Sequence, residues 1–237
     1  FIESPTGLQL LIDGGQNKKI LEELSRVMSF DDRSIDVVLA THPDGDHVGG
    51  LPFVFERYEI DTYVSTTKSA GTATYKRLEE AVISEDGITH IYAKRGMFFD
   101  LGGGVIVKIL YPDSDVGRMD ANESSIIVQV DYGDVEFLLT GDAPLSVENY
   151  LVSLDGALLE SEVLKLGHHG SKTSTGRNFL EVVSPKYAVV SAGEGNRYGH
   201  PAREVVDLVL SIDAQIYSTI DKGAITFLSD GASVWVE

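Results

Sequence analysis

The stretch His42-Pro43-Asp44-Gly45-Asp46-His47 sets two histidines and two aspartates within six positions. An apolar run, residues 35–40, ends just before it, and Val48-Gly49-Gly50 leads into a second one. Polar groups collected where a buried strand runs out have two readings. One is a tight acidic turn facing water, since Asp and Gly are turn formers; the other is half of a metal site.

The remaining histidines decide between these readings. The chain has six in all: two in this stretch, the pair His168-His169, His200, and His90 standing apart. His42 and His47 follow residues 35–40, the pair follows 163–166, and His200 comes after 187–191, all apolar runs that read as strands. Asp142 follows a fourth such run, 135–140. Strand ends at one edge of a sheet converge in space, which is how distant residues build one site. Glycines surround every group (Gly45, Gly49, Gly50, Gly141, Gly167, Gly170, Gly199) and let backbone approach a ligand closely. Imidazoles and carboxylates at strand ends have divalent-metal binding as their common use. The metal-site reading is therefore adopted for His42 to His47.

At 237 residues the chain is one large domain or two small ones, with 43% hydrophobic and 24% charged residues, ordinary for a globular protein. No apolar run approaches the roughly 18 residues that span a bilayer, so no membrane segment is expected. No basic-then-apolar leader is present, and Phe1-Ile2-Glu3-Ser4 reads as the middle of a strand, which suggests a fragment of a longer protein. The absence of cysteine excludes thiolate zinc sites, disulfides and a cysteine nucleophile together. A net charge of −18 repels phosphates and anionic lipid, so a nucleic-acid substrate would need metal ions or a local cationic patch.

Strand-like and helical runs alternate. Helices are expected over 17–29, 50–58, 71–83, 146–152 and 176–183, with Pro201 opening another that carries Val205, Val209 and Ile212 on one face. Strands are expected over 62–65, 105–110, 125–130 and the runs named above. Residues 2–15 read as strand, tight turn, strand and Asp-Gly-Gly; residues 128–142 read as strand, turn, strand and Gly-Asp. Each hairpin is followed by a helix. Two similar ββα halves point to an α/β fold with two sheets face to face and helices outside, a four-layer αββα sandwich.

A serine hydrolase with Ser171 or Ser191 as nucleophile is the main chemical rival, but neither serine sits in a Gly-x-Ser-x-Gly elbow. Gly102-Gly103-Gly104 precedes a strand rather than a helix, so it reads as a turn and not as a phosphate loop.

The residues resemble the metallo-β-lactamase superfamily, whose signature His-x-His-x-Asp-His follows a strand and opens a helix. Here Asp44 stands at the third place instead of histidine. That variant is similar to the C-terminal hydrolase domain of ComEC/Rec2 competence proteins and to phosphorylcholine esterases of the same branch. So are Leu139-Thr140-Gly141-Asp142, Leu164-Lys165-Leu166-Gly167-His168-His169-Gly170-Ser171 and Asn196-Arg197-Tyr198-Gly199-His200-Pro201. The resemblance runs from Ile2 to the C-terminus and implies a single domain, 1–237, cut from a longer protein.

The resemblance also implies a dinuclear centre of two divalent metal ions, Zn or Mn. His42 and Asp44 would hold one, Asp46 and His47 the other; Asp142 would bridge them, and His168 or His169 would complete the second site. The superfamily usually has a further histidine before the Gly-Asp motif, where this chain has Asn122, a candidate substrate contact. Asp46 or Asp142 would orient the attacking water. His200 is a ligand or, in the reading adopted, the proton donor to the leaving group. Ser171, Lys172, Arg197 and Tyr198 are candidate substrate contacts, the cations neutralising a phosphate locally. Such a domain would be a phosphodiesterase or nuclease, with DNA as one candidate substrate and a membrane channel domain as a candidate partner in the same longer chain. The alternatives are hydrolysis of a β-lactam, lactone, thioester or phosphorylcholine ester, and a catalytically silent metal-binding module.

Overall fold

Residues 35–39 alternate between two buried faces, as a central parallel strand covered on both sides must. They belong to β3 (Ser34–Leu39), the middle of a five-stranded sheet whose order is β1 (Ile2–Glu3), β2 (Gln9–Ile12), β3, β4 (Glu59–Ser65) and β5 (Thr89–Tyr92). β1 is antiparallel to β2, turning at Gly7 with φ +83°, and β2 to β5 are parallel. The computed structural model describes residues 1–237. It divides into two compact units: Phe1–Arg95 with Leu101–Gly103 and Tyr111–Ile126, and Gly96–Asp100 with Gly104–Leu110 and Ile127–Glu237.

The first unit contains the five-stranded sheet and the helices α1 (Lys19–Val27), α2 (Gly45–Val48), α3 (Leu51–Phe55) and α4 (Ala73–Ser84). Its core joins Leu11, Ile35, Val38 and Tyr63 of the sheet to Leu24, Leu51 and Leu78 of the helices. The helix expected over 50–58 is shorter, and a separate turn of helix, α2, precedes it. Pro52 has no N–H to donate to the Val48 carbonyl, and the Gly50 N–H donates instead to Gly15 O at 2.9 Å. The ladder register Ile12↔Leu39↔Val64 aligns the C-terminal ends of β2, β3 and β4. Asp13 and the turn after β3 therefore leave the sheet side by side.

The second unit is built on seven strands: β6 (Phe98–Asp100), β7 (Val105–Tyr111), β8 (Ile127–Tyr132), β9 (Val135–Leu139), β10 (Val163–Lys165), β11 (Tyr187–Val190) and β12 (Gln215–Ser218). Their order in the sheet is β12-β11-β10-β9-β8-β7-β6. β9 to β12 are parallel, and the register Leu139↔Lys165↔Val189 again aligns C-terminal ends. The helices are α5 (Leu145–Asp155), α6 (Arg177–Val183), α7 (Arg203–Leu210) and α8 (Thr219–Lys222). A hairpin of β13 (Phe227–Ser229) and β14 (Val234–Val236) packs Phe227 and Val234 onto Val135, Val163 and Tyr187. The internal echo is real: the antiparallel pair β8–β9 turns at Gly133 and is followed by α5, as β1–β2 is followed by α1.

One expectation is corrected. Pro201 does not open α7, which begins at Arg203, because the Ala202 N–H donates to Gly170 O at 2.9 Å and holds the chain extended there. Val205 and Val209 are buried, while Ile212 lies beyond the helix end. The short strands β5, β6, β12, β13 and β14 were not expected; β5 and β6 are mostly exposed and carry little periodic signal.

Candidate metal centre

In the first unit, the turn after β3 is held from below by Asp13, which follows β2. The Asp13 carboxylate accepts the Thr41 N–H and the Thr41 hydroxyl, both at 2.8 Å, and binds His47 Nδ1 at 2.6 Å. Burial opposes ionisation of this carboxyl, but the charge and hydrogen bond of His47, with His42 and the Thr41 amide, hold it below the usual carboxylate range. Close glycine packing makes the arrangement possible. A Cβ on Gly50 would lie 2.0 Å from Gly14 O, and one on Gly49 would lie 2.2 Å from Gln16 O. The Asp13-Gly14-Gly15 turn thus seats directly on α2, with the Gly14 N–H donating to His47 O at 2.7 Å.

His42 and His47 are only 2% and 3% exposed, with ring centroids 4.2 Å apart. His42 Nδ1 lies 3.0 Å from the Thr41 hydroxyl, and its Nε2 lies 3.8 Å from Asp44 Oδ2. Ligand-capable atoms of Asp46 and His47 lie within 4.8 Å of one another. Asn122 is half-buried in the same unit, on a single 3-10 turn (Asn122–Ser124). The Ile126 N–H donates to Thr41 O, next to His42, and ties that segment to the turn.

In the second unit, Asp142 leaves β9 and is 3% exposed, and the histidine pair leaves the neighbouring strand β10. Asp142 Oδ2 lies 3.8 Å from His168 Nε2 and 3.7 Å from His169 Nε2. These spacings are too long for hydrogen bonds and close to the roughly 3.4 Å between ligand atoms on a tetrahedral metal with bonds of about 2.1 Å. His169 Nδ1 donates to Ser191 O at 2.6 Å, and His168 Nδ1 lies 3.1 Å from the Thr173 hydroxyl. Both histidines adopt left-handed backbone, φ 48° and 57°, a conformation costly for residues with a Cβ and typical of positions where geometry matters more than local stability.

The other candidates sit around this half. His200 lies 5.8 Å ring to ring from His168, and its backbone is bracketed by Asn196, which accepts its N–H and donates to its carbonyl, both at 2.8 Å. Burial first, then the charges of His168 and His169, lower the His200 pKa against a smaller opposing pull from Asp142. Tyr198 stacks on His200, and the Arg197 guanidinium lies over the Tyr198 ring. Ser171 is buried with its hydroxyl 3.0 Å from that of Thr173, and Lys172 is exposed. His90, by contrast, stands apart on β5 of the first unit, bonded to the Ser65 hydroxyl at 2.8 Å and ringed by Tyr63 and Tyr92.

Asp13 and Thr41 escape the sequence reading, which takes residues 13–15 only as the end of a hairpin. An aspartate directly after a parallel strand, followed by two glycines, was the available signal. With them included, the four imidazoles behave alike. Each turns Nδ1 to a protein oxygen, the kind of supporting contact that metal-ligating histidines usually make. The buried donors, mixed imidazole and carboxylate, suit a divalent cation.

Histidine and aspartate donors at the ends of parallel strands, in this order along the chain, define an α/β metallohydrolase fold of the αββα class. The chain belongs to the metallo-β-lactamase superfamily, which matches residues 1–194. Among curated proteins it is similar to Competence protein ComA of Neisseria gonorrhoeae, 33% identical over 195 residues, and to ComE operon protein 3 of Bacillus subtilis, 28% identical over 195 residues. Each of those matches takes in 82% of this chain and 25% of the relative. Recombination protein 2 of Haemophilus influenzae is 29% identical over 192 residues, 81% of this chain and 22% of that one. The chain thus spans about a quarter of the length of these relatives. Among solved structures, Tm1679, described as a metal-dependent hydrolase of the beta-lactamase superfamily, has a TM-score of 0.55 at 15% identity, covering 92% of this chain and 93% of that one. Zn(2+)-bound PqqB from Methylobacterium extorquens gives 0.51 at 12% identity, covering 91% and 83%. At these identities the likeness is one of fold.

Proposed function

We propose that this chain is a metal-dependent phosphodiesterase, acting on DNA or another phosphodiester through a dinuclear centre held by His42, Asp44, Asp46, His47, Asp142, His168 and His169. The observation that carries the reading is the common bracing of the four imidazoles, each held at Nδ1 by a protein oxygen. Relatives named for competence and recombination support a nucleic-acid substrate. Bound there, two divalent cations would supply Lewis acidity, lowering the pKa of a water toward neutrality and neutralising phosphate charge.

The chain's own groups do the rest. Asp46 or Asp142 orients the attacking water, and His200, steadied by Asn196, gives a proton to the leaving oxygen. Arg197, Tyr198, Lys172, Ser171 and Asn122 hold the phosphate, which lets an acidic protein accept a polyanion. The His42 side, with Asp44 and no third histidine, is oxygen-rich and accepts manganese; the His47 side, with a histidine of the 168–169 pair, favours zinc. The domain acts as part of a longer chain that carries a membrane channel domain; in this part of it, no helix is long and apolar enough to cross a membrane.

The test is metal-stripped protein titrated separately with manganese and zinc, assayed on bis(p-nitrophenyl) phosphate and on nitrocefin. Phosphodiester turnover restored by manganese is expected. Nitrocefin turnover alone would transfer the reading to acyl hydrolysis, and metal binding without turnover of any ester would leave a silent metal module.

A further inference from the structure

We infer that Glu148 is a positioning residue: its buried carboxylate clamps the segment 173–176 and so sets His168 against Asp142. The inference rests on the reading of those two residues as site residues, but its geometry stands without a metal.

Glu148 lies one turn into α5 and is 1% exposed. No buried carboxylate is free of cost, so its oxygens must find donors. Oε1 accepts the Thr175 N–H at 2.6 Å and Oε2 the Gly176 N–H at 2.9 Å. Thr175 is left-handed, φ 62°, and a side chain with a branched Cβ does not rest there unaided. Gly176 fits because a Cβ on it would lie 2.9 Å from Leu145 Cδ2. The clamp therefore holds a strained backbone against the first turn of α5.

From that clamp, short bonds run to both site elements. The Leu145 N–H donates to Thr173 O at 2.9 Å, and the Ser174 hydroxyl donates to Ala143 O at 2.8 Å, fastening the segment to the residues that follow Asp142. Thr173 then presents its hydroxyl to His168 Nδ1 at 3.1 Å, while the His168 N–H reaches back to Gly141 O at 3.2 Å. His168 is thus held by its backbone at the Asp142 turn and by its ring at a segment that Glu148 keeps in place. The proposed reaction makes no direct use of this carboxylate.

The decisive variant is Glu148→Gln, whose amide offers one acceptor oxygen and turns its NH2 toward a backbone donor. It is measured at pH 8 in metal-free protein by amide exchange and by imidazole nitrogen NMR, and by zinc competition against a chromophoric chelator. Exchange at Thr175 and Gly176 should rise at least about tenfold. The His168 Nδ1 resonance should shift, and zinc affinity should fall about tenfold, the low end for loss of a supporting contact. Thr175→Gly, which removes the left-handed penalty, should recover most of both losses in the Glu148→Gln background. Thr173→Val, at an exposed position, should reproduce the His168 shift without faster exchange at 175 and 176, and tests the link from this segment to the ring even if Glu148→Gln does not fold. An unmoved His168 resonance in folded Glu148→Gln or in Thr173→Val overturns the inference, as does failure of Thr175→Gly to rescue. Wild-type protein that binds no zinc would sink the metal reading instead, while the resonances still decide the role of Glu148.

Discussion

Replacing Asp13 by asparagine should weaken the His47 side of the metal centre by way of a tautomer. The native carboxylate takes three bonds: the Thr41 amide and hydroxyl at 2.8 Å each and His47 Nδ1 at 2.6 Å. With Nδ1–H given to the carboxylate, Nε2 is the atom of His47 that can offer a lone pair to a metal. Asparagine has one acceptor oxygen. If that oxygen keeps the Thr41 amide, the NH2 faces Nδ1, which must become an acceptor, and the imidazole proton moves to Nε2, the metal-facing atom. The substitution also removes a hydrogen bond to a charged group, a loss of about 1.5–3 kcal/mol. Supporting partners of ligating histidines affect metal affinity by about 10–100-fold, or about 1.4–2.7 kcal/mol. Zinc competition with a chromophoric chelator reads the affinity, and imidazole nitrogen NMR reads the tautomer. Zinc bound as tightly as in wild type, with the His47 proton still on Nδ1, would refute the reasoning.

On the proposed two-metal reading, Asp142→Asn should leave the circular dichroism spectrum intact and remove most phosphodiester turnover, because a neutral amide cannot bridge two cations; retained turnover would exclude that scheme. Gly50→Ala should destabilise the first unit by about 2 kcal/mol or more, since the new Cβ would meet Gly14 O at 2.0 Å, and a thermal melt unchanged within error would contradict that packing. Burial pushes the Glu148 carboxyl up from 4.5 to about 7 against the pull of the two amides. A raised carboxyl pKa gives stability that is fully present below the unfolded value and lost as pH rises through the folded one. Between pH 5 and 8 wild type should therefore lose about 3 kcal/mol relative to Glu148→Gln, which has no such titration. Denaturant midpoints for the two proteins that stay parallel across that range would show that the carboxyl is not shifted.

The composition and order of the candidate site were legible in the sequence. Apolar runs reveal strands because burial is a local property of a periodic pattern, and metal-donor side chains at four strand exits then stand out by type and spacing. The ββα echo pointed in the same way to two related halves, since turn residues and alternation are also local. What tertiary structure decided depends on pairing between distant segments. Asp13 reaches His47 across 34 positions only because β2 and β3 lie parallel in the register Ile12↔Leu39 and because Gly14, Gly49 and Gly50 permit contact. The left-handed backbone of His168 and His169, and the choice of Nδ1 for support at all four imidazoles, likewise follow from hydrogen bonds to groups elsewhere in the fold, such as Ser191 O. Pro201 shows the same limit from the other side. Its local preference for a helix start was overridden by one backbone bond, Ala202 to Gly170, between segments that only the folded chain brings together.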